Sequence, residues 1–449
     1  MTTRTRATAA LVLSWALAVS TAHAADLLEV YKLALDSDPE FAAAVADNKA
    51  TQELVPQARA GLLPNLQVSG NTSYDDLETN RRKGTVRGSA RYNRHGYSLD
   101  LVQPVFRWDR WVQLSQAGER VQQANAELDA AAQDLIVRTA ERYFDVLAAQ
   151  DELEYRTTTR EANLQQLNQA LQRFEVGLIA ITDVEEARAG HDLAVAEEIR
   201  ARNGLENAHE SLRALVGEYV RDLAPLAQEV PLLTPEPNSI EKWTETALDQ
   251  NRRLVASTFA TKAAEDDIRR ARSGHLPTLD LVAGRQYDSQ SDSPTIAGFS
   301  VGGDSKSYVD SVGLQLTVPI YQGGRVTSQT EQARQLYAQA LEQLEQARRE
   351  TYRQARQFFL GVTDSISGVN ALRTALSSTQ KALEAVEAGF QVGTRTSVDV
   401  LNAQQRTYES RFNYKNAQYN YILSTLSLKR AAGTLAPEDL VPINGWLRH

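Results

Sequence analysis

The sequence predicts a mixed α+β chain, mainly α, built twice from one plan. Three observations predict it. First, residues 34–66 align without a gap on 247–279, with 12 identities in 33 positions. Second, two proline-free stretches, from about Trp108 to Phe174 and from about Arg325 to Phe390, carry apolar residues at heptad spacing. Third, the segments 66–74, 97–105, 279–287 and 311–320 alternate apolar and polar side chains with the period of a half-buried strand.

The chain opens with Arg4 and Arg6, an apolar run from Ala9 to Ser20 and the small-residue site Ala22-His23-Ala24. Residues 1–24 therefore read as a secretory signal peptide. Beyond them no apolar run reaches the eighteen or so residues of a membrane helix, and mean hydropathy is −0.41. There is no cysteine, so disulfides, thiol chemistry and thiolate metal sites are excluded. A net charge of −9 argues against nucleic acid as a partner. Export without disulfides points to the envelope of a Gram-negative cell.

The duplication continues past its first block. LVQPVF at 101–106 faces LTVPIY at 316–321, and RFEVG at 173–177 faces GFQVG at 389–393. Repeats must be read before a fold is assigned. The expected division is a first repeat over 25–218, a linker over 219–241 with four prolines, a second repeat over 242–433 and a terminal segment over 434–449.

Each repeat begins with a helix ending at Gly61 or Gly274, read as C′ glycines with Pro64 and Pro277 beyond. Two strands of about ten residues follow, the length a tilted transmembrane strand needs. In the last of them Val312, Leu314, Leu316, Val318 and Ile320 share one face, against Ser311, Gly313, Gln315 and Thr317. Tyr97, Leu99, Leu101 and Val105 similarly oppose Ser98 and Asp100. The polar stretches 74–95 and 287–310 read as exposed loops, and Pro104 and Pro319 as strand ends. Four strands cannot close a barrel whose smallest form has about eight. An open edge in lipid leaves amides unsatisfied. Membrane strands here therefore require several chains, two copies giving eight strands and three giving twelve.

At about 1.5 Å per residue each long helix extends on the order of 100 Å. The first places Leu114, Val121, Leu128 and Leu135 at heptad spacing, with Ala117, Ala124 and Ala131 three residues on. The second places Val326, Ala333, Ala340 and Ala347 likewise. A two-stranded coiled coil and a water-filled bundle both fit this pattern.

Both long helices end in a related turn, VGLIAITDV at 176–184 and VGTRTSVDV at 392–400. Gly177 and Gly393 read as C′ residues, and Thr182 with Glu185 and Thr396 with Asp399 read as capping boxes. Asp183 and Arg395 are left over. Side-by-side tips place Arg395 within reach of Asp183, in an exposed ion pair worth only about 0–1 kcal/mol. Such a pair braces weakly and releases easily.

These turns, with LLEVYKLALDSDPEF, SGHLPTLDL, LTVPIYQGGRV and YNYILSTLSLKRAAGTL, resemble the TolC family of outer-membrane export channels. The resemblance runs in order from about Asp26 to Leu440. It implies a homotrimer with a 12-stranded β-barrel in outer-membrane lipid, continued by a coiled-coil tunnel through the periplasm. It implies gating by untwisting of the periplasmic helices, engaged by a periplasmic adaptor and an inner-membrane RND, ABC or MFS transporter. Drugs, small toxic compounds or proteins are the implied cargo, by multidrug efflux or type I secretion. The family's closing network maps onto Thr182, Asp183 and Arg395, with Phe390 standing where the family has a tyrosine. Its paired constriction carboxylates map onto Asp399 and Asn402, so a trimer carries three carboxylates there instead of six. Adaptor docking maps onto Gly177, Leu178, Gly393 and Thr394.

No enzyme is expected. The six histidines form no H-E-x-x-H pattern, and YQGGR at 321–325 lacks the lysine of a phosphate loop. No cofactor or metal is expected. The alternative is a periplasmic coiled-coil adaptor or scaffold without a pore, which the four amphipathic strands disfavour.

Overall fold

The computed structural model describes residues 24–80, 87–291, 295–296, 299–300 and 304–448. All of the expected leader except Ala24 lies outside the described residues. The chain divides into a small antiparallel sheet and a set of very long helices, with a collar of packed side chains partway along them.

The leading helix of the first half is three helices: α1 (Leu27–Ser37), α2 (Pro39–Gln52) and α3 (Leu54–Ala60). Asp26 caps α1 in a capping box with Glu29. Asp38 caps α2, where Pro39 occupies the first helical turn and breaks nothing. The strands β1 (Asn65–Asn80) and β2 (Arg87–Phe106) follow, then α4 (Trp108–Glu175) and α5 (Ile181–Val216). The second half repeats the order as α6 (Ile240–Gln250), α7 (Arg252–Ser273), β3 (Thr278–Ser291), the short β4 (Thr295–Ile296) and β5 (Phe299–Ser300), and β6 (Ser305–Thr317). Then come α8 (Arg325–Gln391), α9 (Ser397–Ala432) and the closing α10 (Leu440–Asn444). Both long helices fall within a residue of their expected limits.

The strands are longer than expected, and they run through much of the stretches read as loops. β1 pairs with β2 from Asn65↔Val102 to Asn80↔Arg87, and β3 with β6 from Thr278↔Thr317 to Gln290↔Ser305. Polar composition there marks strands leaving the bilayer, since exposed antiparallel ribbons need no apolar face. Pro104 does not end β2. It lies just before a register shift between Pro104 and Phe106, where the ladder tolerates a missing donor. Pro319 does fall beyond its strand. Gly61 and Gly274 close their helices with right-handed φ values of −64° and −61°, so neither needs the left-handed region expected of a C′ glycine. Their chains leave through tightened turns, Leu62 N to Arg59 O and His275 N to Arg272 O.

The long strands order β1-β2-β3-β6, all antiparallel. Leu66, Leu101, Ala283 and Val312 lie in one cross-strand row, and Leu281 with Leu314 and Leu279 with Leu316 continue that face. Two rows on, past Leu99 and the Arg285–Asp310 ion pair at 3.4 Å, Tyr97, Tyr287 and Tyr308 form an aromatic row on the same face, with ring centroids 5.0 and 4.8 Å apart. The opposite face carries Gln67, Ser69, Ser98, Asp100, Asp280, Gln286 and Gln315. A mainly apolar face with an aromatic girdle, its one charged row self-paired, and a mainly polar opposite face are the pattern of a membrane barrel wall. Among the described residues no helix is long and apolar enough to cross a membrane.

Arg107 begins α4 and forks onto Asp280 of β3, with N–H groups 3.0 and 2.8 Å from the two carboxylate oxygens. The sheet is thereby tied to the helices across the two halves. Below it, α7 packs between α4 and α8; farther down, α9 takes that place and α5 flanks α4. Ala117, Ala124, Val326 and Ala333 are buried in these seams, as their heptad positions require.

The core sits in the collar. Leu135, Ile136, Tyr143, Phe144 and Leu147 of α4 meet α1, the end of α5, the linker around Leu223–Val230, Phe359–Val369 of α8 and Tyr419–Leu428 of α9. Tyr143 is fully buried and donates to the carbonyl of Ala224 at 2.7 Å, pinning the linker to the long helix. Burial pushes its phenol far above the ordinary tyrosine range.

Candidate functional site

The candidate site is the pair of hairpin tips farthest from the sheet. At the first, Gly177 takes φ +76°, and the amides of Gly177 and Leu178 donate to the carbonyls of Phe174 and Arg173 at 2.8 and 2.9 Å. At the second, Gly393 takes φ +78°, and the amides of Gly393 and Thr394 donate to Phe390 and Gly389 at 3.0 and 2.8 Å. A side chain at either glycine forces that left-handed conformation at a cost, so the turn needs glycine.

The second tip continues as the motif predicts. Thr396 is the N-cap of α9; its hydroxyl oxygen accepts from the Asp399 amide at 3.2 Å. The Asp399 carboxylate in turn accepts from the Thr396 amide at 2.8 Å and from its hydroxyl at 2.9 Å. These bonds, with the Arg395 charge nearby, hold the Asp399 carboxyl below its ordinary value.

The first tip does not continue in that way. The expected capping box of Thr182 and Glu185 is absent. α5 starts at Ile181, so its N-cap is Ala180, which has no oxygen to offer. The frame is set by the glycine: three residues after Gly177 comes Ala180, as Thr396 comes three after Gly393. In that frame Asp183 and Asp399 occupy the same position. One carboxylate is consumed by its own helix end. The other, Asp183, makes no side-chain hydrogen bond or ion pair with any described residue.

Arg395, whose charge acts on Asp399, also forms no ion pair with any described residue, and its side chain folds over Gly389, where an added Cβ would lie 2.8 Å from its Cγ. The tips do lie side by side, since the Ser397 hydroxyl of α9 donates to the Gln169 side chain of α4. Asp183 and Arg395 nevertheless do not pair inside one chain. Thr182, Leu178 and Phe390 are exposed around them, Phe390 at 48% and Leu178 at 70%. Asp399 and Asn402 stand one helical turn apart on α9. Gly389 and Gln169 were not singled out by sequence; the visible signal for Gly389 is a glycine inside an otherwise strong helix former run, EAVEAGF. Among the described residues no cluster of side chains is suited to hold a metal.

A sheet with a lipid-type face and two edges unpaired among the described residues, together with helices about 100 Å long, has the architecture of an outer-membrane channel. The chain belongs to the outer membrane efflux protein family, whose model matches residues 30–218 and 243–434. It is 38% identical to outer membrane protein TolC of Escherichia coli K12 over 95% of this chain and 86% of that protein. It is 36% identical to outer membrane protein TolC of Vibrio cholerae over 96% of this chain and 95% of that one. Its fold matches the Campylobacter jejuni CmeC outer membrane channel with a TM-score of 0.77 and 17% identity, over 93% of this chain and 89% of that chain. The protein is an outer-membrane efflux and secretion channel, not an enzyme, and works with inner-membrane export machinery.

Proposed function

We propose that three copies of the chain close one 12-stranded barrel and one tunnel, and that the tunnel is latched at the tips by Asp183 of one copy and Arg395 of the next. The observation that carries the reading is the pairing state of this chain. Among the described residues β1 and β6 each lack a partner on one side, and Asp183 and Arg395 each lack an ion pair at the tips. Three copies are favoured over two because an eight-stranded barrel is just filled by its own side chains, whereas twelve strands leave a pore. The two repeats, 25–218 and 242–433, each supply two strands and one hairpin.

Thr182 flanks the latch, and Phe390, without a hydroxyl, leaves it one bond weaker than the family pattern. Asp399 and Asn402 form the constriction. Gly177, Leu178, Gly393 and Thr394 present exposed backbone and side chains for a periplasmic adaptor, behind which an RND, ABC or MFS transporter supplies the cargo. Opening is an untwisting of the hairpins once the weak tip pairs break.

Planar-bilayer conductance tests the latch. Wild type is expected to conduct weakly, and Asp183→Ala/Arg395→Ser several-fold more; an unchanged conductance refutes the latch. In the same recordings Asn402→Asp adds a carboxylate per chain and is expected to raise cation selectivity. An unmoved reversal potential refutes that role for Asn402.

A further inference from the structure

We propose that a cavity at the lower edge of the collar is a binding site for a short acidic peptide. It has a volume of about 460 Å³ and lies where α8, α9, α4, the linker and the C-terminal segment meet. Four cationic side chains line it, Arg373 from α8, Arg411 and Lys415 from α9, and Arg448 from the last turn of chain, against two acidic ones, Glu154 and Glu229.

Three of the four cations form no ion pair, although the Glu229 charge acts on Arg373. Lys415 is paired with Asp151, which also accepts from the Tyr419 hydroxyl at 2.7 Å. Arg373, Arg411 and Arg448 form no ion pair with any described residue. Arg373 donates only to the Tyr414 hydroxyl at 3.3 Å, and Arg411 lies over the Tyr408 ring. On the same long helices Arg334, Arg353 and Arg430 are held by Glu331, Glu350 and Asp134, while Arg348, Arg356 and Arg406 stand singly without an ion pair to any described residue; only here do three such groups, from three elements, line one cavity. In a chain of net charge −9, a local excess of unpaired guanidinium groups is a feature of this cavity.

The floor is ordered. Gln418, only 1% exposed, donates to the Tyr414 hydroxyl at 3.1 Å and to the Gln228 carbonyl at 3.3 Å. Tyr414, 6% exposed, donates to the same carbonyl at 3.3 Å. The linker is therefore fastened to α9 beneath the arginines, and the cavity walls are held in place before any ligand arrives.

The chemistry selects the ligand. Guanidinium forks recognise carboxylates in a bidentate manner, and here they come from three different elements, so one ligand must carry two or more separated negative charges. The volume exceeds that of one small anion and falls in the range of organic ligand pockets. Leu226 and Leu376 offer apolar wall between the charges, which suits the stem of an acidic side chain better than a bare oxyanion. A peptide bound there would tie α8 and α9 to the linker and the C-terminal segment, bracing the second hairpin at the collar.

Calorimetric titration of the detergent-solubilised full chain with tri-glutamate, citrate and phosphate tests the site. Tri-glutamate is expected to bind most tightly, and Arg373→Gln/Arg411→Gln to weaken it by about tenfold or more, as loss of charge-assisted bonds predicts. Arg334→Gln/Arg353→Gln, which removes two paired surface arginines on α8, is expected to leave it unchanged. Heat-resistant assembly on unheated gels checks that each variant is folded. Absence of tri-glutamate binding by the native chain, or equal binding by the Arg373/Arg411 variant, overturns the site. Citrate binding as tightly as tri-glutamate overturns the peptide in favour of free polycarboxylates, and phosphate doing so overturns carboxylate recognition altogether.

Discussion

At the scale of single residues, the duplicated turn shows how a repeat diverges into function. Thr396 and Ala180 sit at equivalent N-caps, and the difference between them decides what the aspartate three residues on can do. Where threonine caps, Asp399 closes a capping box and its charge is spent at its own helix end. Where alanine caps, α5 gives up about 1 kcal/mol of capping and Asp183 stays available. Restoring the cap is therefore a test that removes no charge. Ala180→Thr is expected to stabilise the start of α5 by about 1 kcal/mol, to draw the Asp183 carboxylate onto the new cap, and to raise channel conductance toward that of Asp183→Ala. Thermal unfolding and bilayer recording of the same variant check the two halves. A stabilised variant whose conductance matches wild type would show that Asp183 is not shared between cap and latch.

At the scale of elements, what could be read in advance followed from how local the cause was. The long helices were legible to within a residue because nothing but backbone propensity and a seam of small residues sets them, and proline and glycine mark their ends. The strands were legible in type and face, since Val312, Leu314 and Leu316 alternate without interruption, but not in length. Beyond the bilayer a strand needs only its partner's amides, and these leave no apolar trace in the sequence. The capping frame of α5 was misread because Thr182 and Glu185 fit a motif locally, whereas the frame is fixed by Gly177 and the turn it closes. The Arg107–Asp280 fork and the Tyr143 bond to Ala224 join residues 173 and 81 positions apart. No local spacing announces such contacts. The candidate residues at the tips, by contrast, stand out in the sequence itself, because duplication makes the two turns comparable and leaves Asp183 and Arg395 as the remainder.

At the scale of the whole molecule, the proposed trimer assigns a cover to each of the chain's exposed surfaces. Among the described residues the sheet leaves β1 and β6 without outer partners. In the tunnel, Leu193 and Ile199 of α5 and Leu336 and Leu360 of α8 are more than half exposed, on helices that flank the chain's own share of the wall. In the proposed trimer neighbouring copies cover these edges, whereas lipid covers the apolar sheet face. The two kinds of exposure respond differently to charge. Leu314 is 68% exposed and faces outward in the row of Leu281, while its neighbour Gln315 faces the polar interior opposite Asp280. Arginine near the bilayer midplane costs a barrel about 2–4 kcal/mol, and arginine in a wet lumen costs little. Leu314→Arg is therefore expected to cut the yield of heat-resistant assembly in the outer membrane sharply, and Gln315→Arg to leave it near wild type and alter ion selectivity instead. The two substitutions are adjacent in sequence and identical in chemistry, so strand propensity and net charge cancel between them. Equal yields would mean that this face does not meet lipid, and the barrel would have to be rebuilt with the sheet turned inside out.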